Sequence, residues 1–136
     1  MIKLIIFDFD DTLADSRAAS YRNHSKIIKK IGLKPVSKQK YLAIYGALDH
    51  KELVKKLYPK INYEKYLSSY KTSFDAENWK LFSGTLETLK YLKKKYKLAI
   101  ITSKEEWKLE KILDNLKMRD LFEHIESTEK KKYKKK

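Results

Sequence analysis

The sequence predicts an α/β fold: a parallel sheet of about three strands, interrupted after its first strand by an inserted lobe of helices. Three observations carry this reading. The run Leu4-Ile5-Ile6-Phe7 and the later run Lys97-Leu98-Ala99-Ile100-Ile101-Thr102 have the apolar density of strands buried on both faces. Helical periodicity follows or precedes each run, and strands alternating with helices argue for parallel pairing through right-handed crossovers. Between the two runs lies a long stretch patterned only for helices, with no internal repeat and no Gly/Ser linker.

The elements follow in order. Lys3 to Phe9 reads as the first strand. Asp15 or Ser16 can cap a helix carrying Ala18, Ala19, Ile27, Ile28 and Ile31, which stops near Gly32 and Pro35. Ser37 opens a second, with Tyr41, Leu42, Ile44 and Tyr45 inward and Gly46 at its end. Asp49-His50-Lys51-Glu52 has the form of a capping box for a third, with Leu53, Val54 and Leu57 as its apolar stripe and Pro59 closing it. Asn62 caps a fourth, with Tyr63, Tyr66, Leu67, Tyr70 and Phe74 at helical spacing. Thr85 to Tyr96 is amphipathic through Leu86, Leu89 and Leu92, and leads into the second strand. Ser103-Lys104-Glu105-Glu106 reads as another capping box, opening a helix with Leu109, Ile112, Leu113 and Leu116 on one face. Phe122 to Glu126 is short enough for a third strand. The expected division is an α/β core of residues 1–14 and 79–136, with residues 15–78 as a helical cap rooted just past the first strand. A lobe rooted there can close over that strand's tip and exclude water.

Composition removes several classes of function. No apolar run approaches the roughly 20 residues of a membrane span. Met1-Ile2-Lys3 leads straight into the first strand without a signal-peptide pattern. With 0 cysteines, disulfides and thiolate metal sites are excluded, which fits the cytoplasm. The net charge of +14 invites a nucleic-acid reading. It is discounted because lysine outnumbers arginine 29 to 3, and arginine is the residue suited to bidentate phosphate and base contacts. Six of those lysines also fall within residues 130–136, a like-charge run of the kind that forms a solvated tail.

The chemistry concentrates at Asp8-Phe9-Asp10-Asp11-Thr12. Alternate residues along a strand point the same way, so Asp8 and Asp10 can converge at the strand's C-terminal end. In open α/β sheets that end is where ligands bind. Two like charges held close are costly unless a cation joins them or one stays protonated. The pair therefore points to metal-assisted or acid/base chemistry. The bland reading of these residues is a polar strand end and an Asp-rich turn, and Thr102 taken alone is an ordinary strand-ending threonine.

Asp8-Phe9-Asp10-Asp11-Thr12-Leu13-Ala14-Asp15-Ser16 resembles the first motif of the haloacid dehalogenase-like superfamily, in its phosphoglycolate-phosphatase-like branch. Phe82-Ser83-Gly84-Thr85 resembles the return to the core after that family's helical cap. Ile100-Ile101-Thr102-Ser103-Lys104 resembles its second motif, and Leu121-Phe122-Glu123-His124-Ile125 its approach to a third strand. The resemblance implies a Rossmann-like core and Mg²⁺-dependent hydrolysis of a small phosphorylated metabolite. Asp8 would be the nucleophile and Asp10 the acid/base. Mg²⁺ would sit on the Asp8 carboxylate and the Asp10 carbonyl. Thr102 and Ser103 would contact phosphate. Asp11 stands where many relatives carry glycine and would be a turn residue. The family's third-motif lysine corresponds by count to Lys135, with Lys134 and Lys136 close by. Its last motif, an acidic cluster on a fourth strand, has no counterpart here, so the resemblance also implies an incomplete metal site and a bare edge on the first strand. That edge is expected to pair with another copy or another polypeptide. Two further readings stay open: a degenerate member that binds phosphate without turnover, and a basic nucleic-acid-binding module.

Overall fold

The computed structural model describes residues 1–128 and divides the chain into two compact units: Met1–Ser16 with Trp79 onward, and Arg17–Asn78.

In the first unit a parallel sheet has the order β1-β2-β3, formed by β1 (Leu4–Phe7), β2 (Lys97–Thr102) and β3 (His124–Ser127). The register sets Phe7 beside Ile100, and Thr102 beside Ser127, so all three strands run toward one C-terminal rim. Helices α5 (Thr85–Lys93) and α6 (Glu106–Leu116) provide the crossovers. The interior is aliphatic: Leu89, Leu98, Ile100, Leu109, Ile112, Leu113 and Met118 are buried, with Phe7 and Phe122 meeting edge to face at 6.5 Å.

The second unit follows from α1 (Ser16–Lys30) through α2 (Lys38–Leu42), α3 (His50–Leu57) and α4 (Tyr63–Ser73). Local rules set these helices. Ser37 accepts from the Lys40 amide and Asn62 from the Lys65 amide. Asp49 and Glu52 complete a reciprocal capping box. The interior is polar-aromatic. The His24 ring lies 4.9 Å from Tyr41 and 5.7 Å from Tyr66, and its Nδ1 meets the Tyr66 hydroxyl at 2.9 Å. Tyr41, Tyr66 and Tyr70 are buried, so these tyrosines pack the helices rather than offer a stacking surface. Burial pulls the His24 pKa down to about 3, with His50 adding to the effect, and keeps the imidazole neutral.

Three expectations are corrected. The first strand spans Leu4–Phe7 rather than residues 3–9, and it is not buried on both faces, since Leu4 and Ile6 are 48% and 54% exposed. It stops because the Phe9 carbonyl accepts from the amides of Thr12, Leu13 and Ala14, which folds the chain into a turn. The helix expected to reach Tyr96 ends at Lys93, where the Lys95 and Tyr96 amides both return to the Leu92 carbonyl. Ser103 opens no capping box: α6 begins at Glu106, and Glu105 caps it without a side-chain hydrogen bond. Among the described residues, no helix is long and apolar enough to cross a membrane.

Candidate active site

The loop after β1 carries the two acids. Phe9 is fully buried between them, while Asp8 is exposed and Asp10 half-buried. This alternation continues the strand's own and turns both carboxylates away from the Phe9 anchor. Asp11 adopts a left-handed φ of 58°, where glycine would meet no steric cost and where aspartate is among the better-tolerated side chains. Its Oδ1 accepts from the Ser16 amide at 3.1 Å, a donor shared with the Ala14 carbonyl at 2.9 Å. The loop is tied down further by the Asp15 amide on the Lys80 carbonyl and the Phe82 amide on the Leu13 carbonyl.

The loop after β2 supplies the rest. Thr102 is 3% exposed, and its hydroxyl accepts from the Lys104 amide at 3.2 Å. Its carbonyl accepts from the Thr128 amide at 2.8 Å, joining the tips of β2 and β3. Ser103 is exposed beside it. The position counted for the third-motif lysine, Lys135, lies outside the described residues, as do Lys134 and Lys136.

The residue that sequence reasoning missed is Lys104. Its ammonium lies 3.0 Å from Asp10 Oδ1, with the lysine side chain 8% exposed and the Asp10 side chain 26% exposed. The same ammonium stands over the Trp79 ring, 5.1 Å from its centroid. Burial lowers the Lys104 pKa from the ordinary lysine value, and the Asp10 charge works against that fall. The signal was available: Thr102 and Lys104 are spaced i, i+2 past a strand, as Asp8 and Asp10 are. Reading Lys104 as a first-turn helix residue hid it.

These groups give the rim an exposed carboxylate at Asp8, a second, half-buried carboxylate at Asp10 and the Thr102 hydroxyl, the kinds of group that phosphate-ester chemistry uses. The donors also suit Mg²⁺, which binds hard oxygens and commonly takes one or two carboxylates with water and substrate phosphate completing its shell. Lys104 already engages one oxygen of Asp10, so of the two carboxylates Asp8 is the better placed to meet a cation. Among the described residues no group of three or more His, Cys, Asp or Glu side chains could hold a metal by itself.

The haloacid dehalogenase-like hydrolase family model matches residues 5–136. No curated protein matches the chain. Among solved structures, a subfamily IA hydrolase of this superfamily from Geobacter sulfurreducens is 19% identical at a TM-score of 0.77, covering 93% of this chain and 63% of its own. A protein described as a predicted phosphoglycolate phosphatase from Haemophilus somnus is 23% identical at a TM-score of 0.72, covering 93% and 62%. A Bacillus subtilis hydrolase of the superfamily, described as bound to magnesium, is 18% identical at a TM-score of 0.70, covering 95% and 66%. The chain thus spans less than two thirds of the length of each of these structures. With the match running over almost all of its residues and the same fold shared, the chain belongs to the haloacid dehalogenase-like hydrolase family.

Proposed function

We propose that this chain carries the machinery of a Mg²⁺-dependent phosphomonoesterase acting through an aspartyl-phosphate. The observation that carries the reading is the 3.0 Å contact between Asp10 and Lys104, which joins the acid-bearing tip of β1 to the Thr102 tip of β2. An Asp8 oxygen attacks phosphorus, and the ester P–O bond breaks as its electron pair passes to the leaving oxygen. That oxygen takes the proton of the Asp10 carboxyl and departs as an alcohol. Water then attacks phosphorus and gives a proton to the Asp10 carboxylate. The bond to Asp8 breaks, releasing inorganic phosphate and restoring both acids. Asp8 and the Asp10 carbonyl would hold Mg²⁺, which supplies charge neutralisation as the phosphate approaches. The Thr102 hydroxyl and Ser103 would bind phosphate oxygens. The likeness to a phosphoglycolate phosphatase fold and to a magnesium-bound relative supports a small phosphorylated substrate and this metal.

The second reading is a phosphate-binding member without turnover. A single experiment separates the two. With p-nitrophenyl phosphate and Mg²⁺, the hydrolase releases p-nitrophenolate, and Asp8→Asn lowers that rate by several orders of magnitude, as loss of a covalent nucleophile does. Phosphate binding without product release selects the second reading, and neither binding nor release sinks both.

A further inference from the structure

We propose that Lys104 is a positioning residue for Asp10: by holding one carboxyl oxygen, it aims the other at the ester's leaving oxygen. The proposal rests on the hydrolase reading above and assigns a role that reading leaves open.

A buried ammonium is costly without partners. This chain otherwise avoids that cost: among the described residues every lysine except Lys104 and Lys108 is exposed. The Lys108 ammonium is accounted for by Glu105 at 2.9 Å. Lys104 is anchored along its whole length. Its amide donates to the Thr102 hydroxyl, and its carbonyl accepts from the Ser127 hydroxyl. Its ammonium rests between the Trp79 face and Asp10 Oδ1. β2 and β3 thus fix the lysine, and the lysine fixes a carboxylate that belongs to the loop after β1.

Asp10 needs such a fixture. The terminal torsion of an aspartate side chain is broad, so an unrestrained carboxylate samples many orientations. Proton transfer requires it within about 2.6–3.2 Å of the reacting oxygen. With Oδ1 engaged by Lys104, only Oδ2 is left to carry the proton. An ammonium that served the phosphate instead would act on substrate binding, and it would act equally on every ester.

Leaving-group dependence distinguishes these roles. p-Nitrophenolate departs without a proton, whereas an alkoxide needs one. Lys104→Met is expected to lower kcat on an alkyl phosphate by about 10²-fold, the scale of a lost general acid, with little change on p-nitrophenyl phosphate and little change in KM. The chain has 0 cysteines, so Lys104→Cys creates a unique thiol. Alkylating it with 2-bromoethylamine rebuilds an ammonium at lysine length, which should restore the alkyl phosphate rate. An equal loss on both esters, or a loss confined to KM, overturns the proposal. A readout independent of turnover is the ¹⁵N signal of the Lys104 ammonium, expected to exchange slowly and to shift in Asp10→Asn. A signal unmoved by Asp10→Asn overturns the proposal even in an active enzyme. A shifted signal in a chain that hydrolyses neither ester supports the contact and removes only the hydrolase reading.

Discussion

The α/β unit and the helical unit build their interiors from different side chains. In the first, Leu98, Ile100, Leu109, Ile112 and Leu113 close around the sheet with no polar group among them, and the polar residues gather at the strand tips. In the second, a buried histidine and a ring of tyrosines fill the space between the helices, joined by the His24–Tyr66 contact and by a Tyr66–His50 contact at 3.4 Å. Aliphatic packing is forgiving of direction, because the hydrophobic effect depends on area. A core of hydroxyls and imidazoles is directional: each buried polar atom needs its partner. The α/β unit is thus free to carry costly charge at its rim, at Asp10 and Lys104, while the helical unit commits its polar groups to its own interior.

The comparison can be broken at several points. The largest effect is expected from Leu109→Ala, which opens a void in the aliphatic core and should cost about 2–5 kcal/mol in urea unfolding of the whole chain. A loss far below that would mean the α/β interior is loosely packed.

Acid comes next, and it should act on the helical unit. The His24 pKa falls from 6.5 to about 3 on folding, so between those values the unfolded chain binds more protons than the folded one. Stability contributed by neutral His24 is complete above pH 6.5 and declines as pH falls toward 3, by up to about 1.4 kcal/mol per pH unit. Subtracting the pH profile of His24→Gln from that of the parent isolates this slope, and coincident profiles would refute it. Tyr66→Phe removes the hydroxyl that His24 Nδ1 meets and should cost about 1–3 kcal/mol, more than loss of a solvent-exposed hydroxyl. The smallest effect is expected from Asp49→Ala, which removes one side of the α3 capping box at about 1 kcal/mol, read as a shift in unfolding midpoint at unchanged slope.

Legibility in the sequence followed the range of the forces involved. The Asp49 box, the Asn62 cap and the bounds of β2 were readable because each is decided within a few residues. The apolar run of β1 was readable as a strand but not as a strand with one exposed face, because what lies on a sheet face is set by distant chain. Ser103-Lys104-Glu105-Glu106 misled for a related reason. Its letters satisfy a helix-start pattern, yet the Lys104 amide and carbonyl are held by the Thr102 and Ser127 hydroxyls, and the helix begins only at Glu106.

Local sequence was enough for the class of fold, the four helices of the inserted lobe, and the presence of two acids spaced to share a strand tip. Those follow from periodicity, caps and alternation, all local. That Lys104 meets Asp10, a residue separated from it by the whole helical unit, is a long-range outcome no local rule predicts. That contact exists because β1 and β2 pair in one register, Phe7 beside Ile100, and a one-residue slip would turn either side chain to the opposite face.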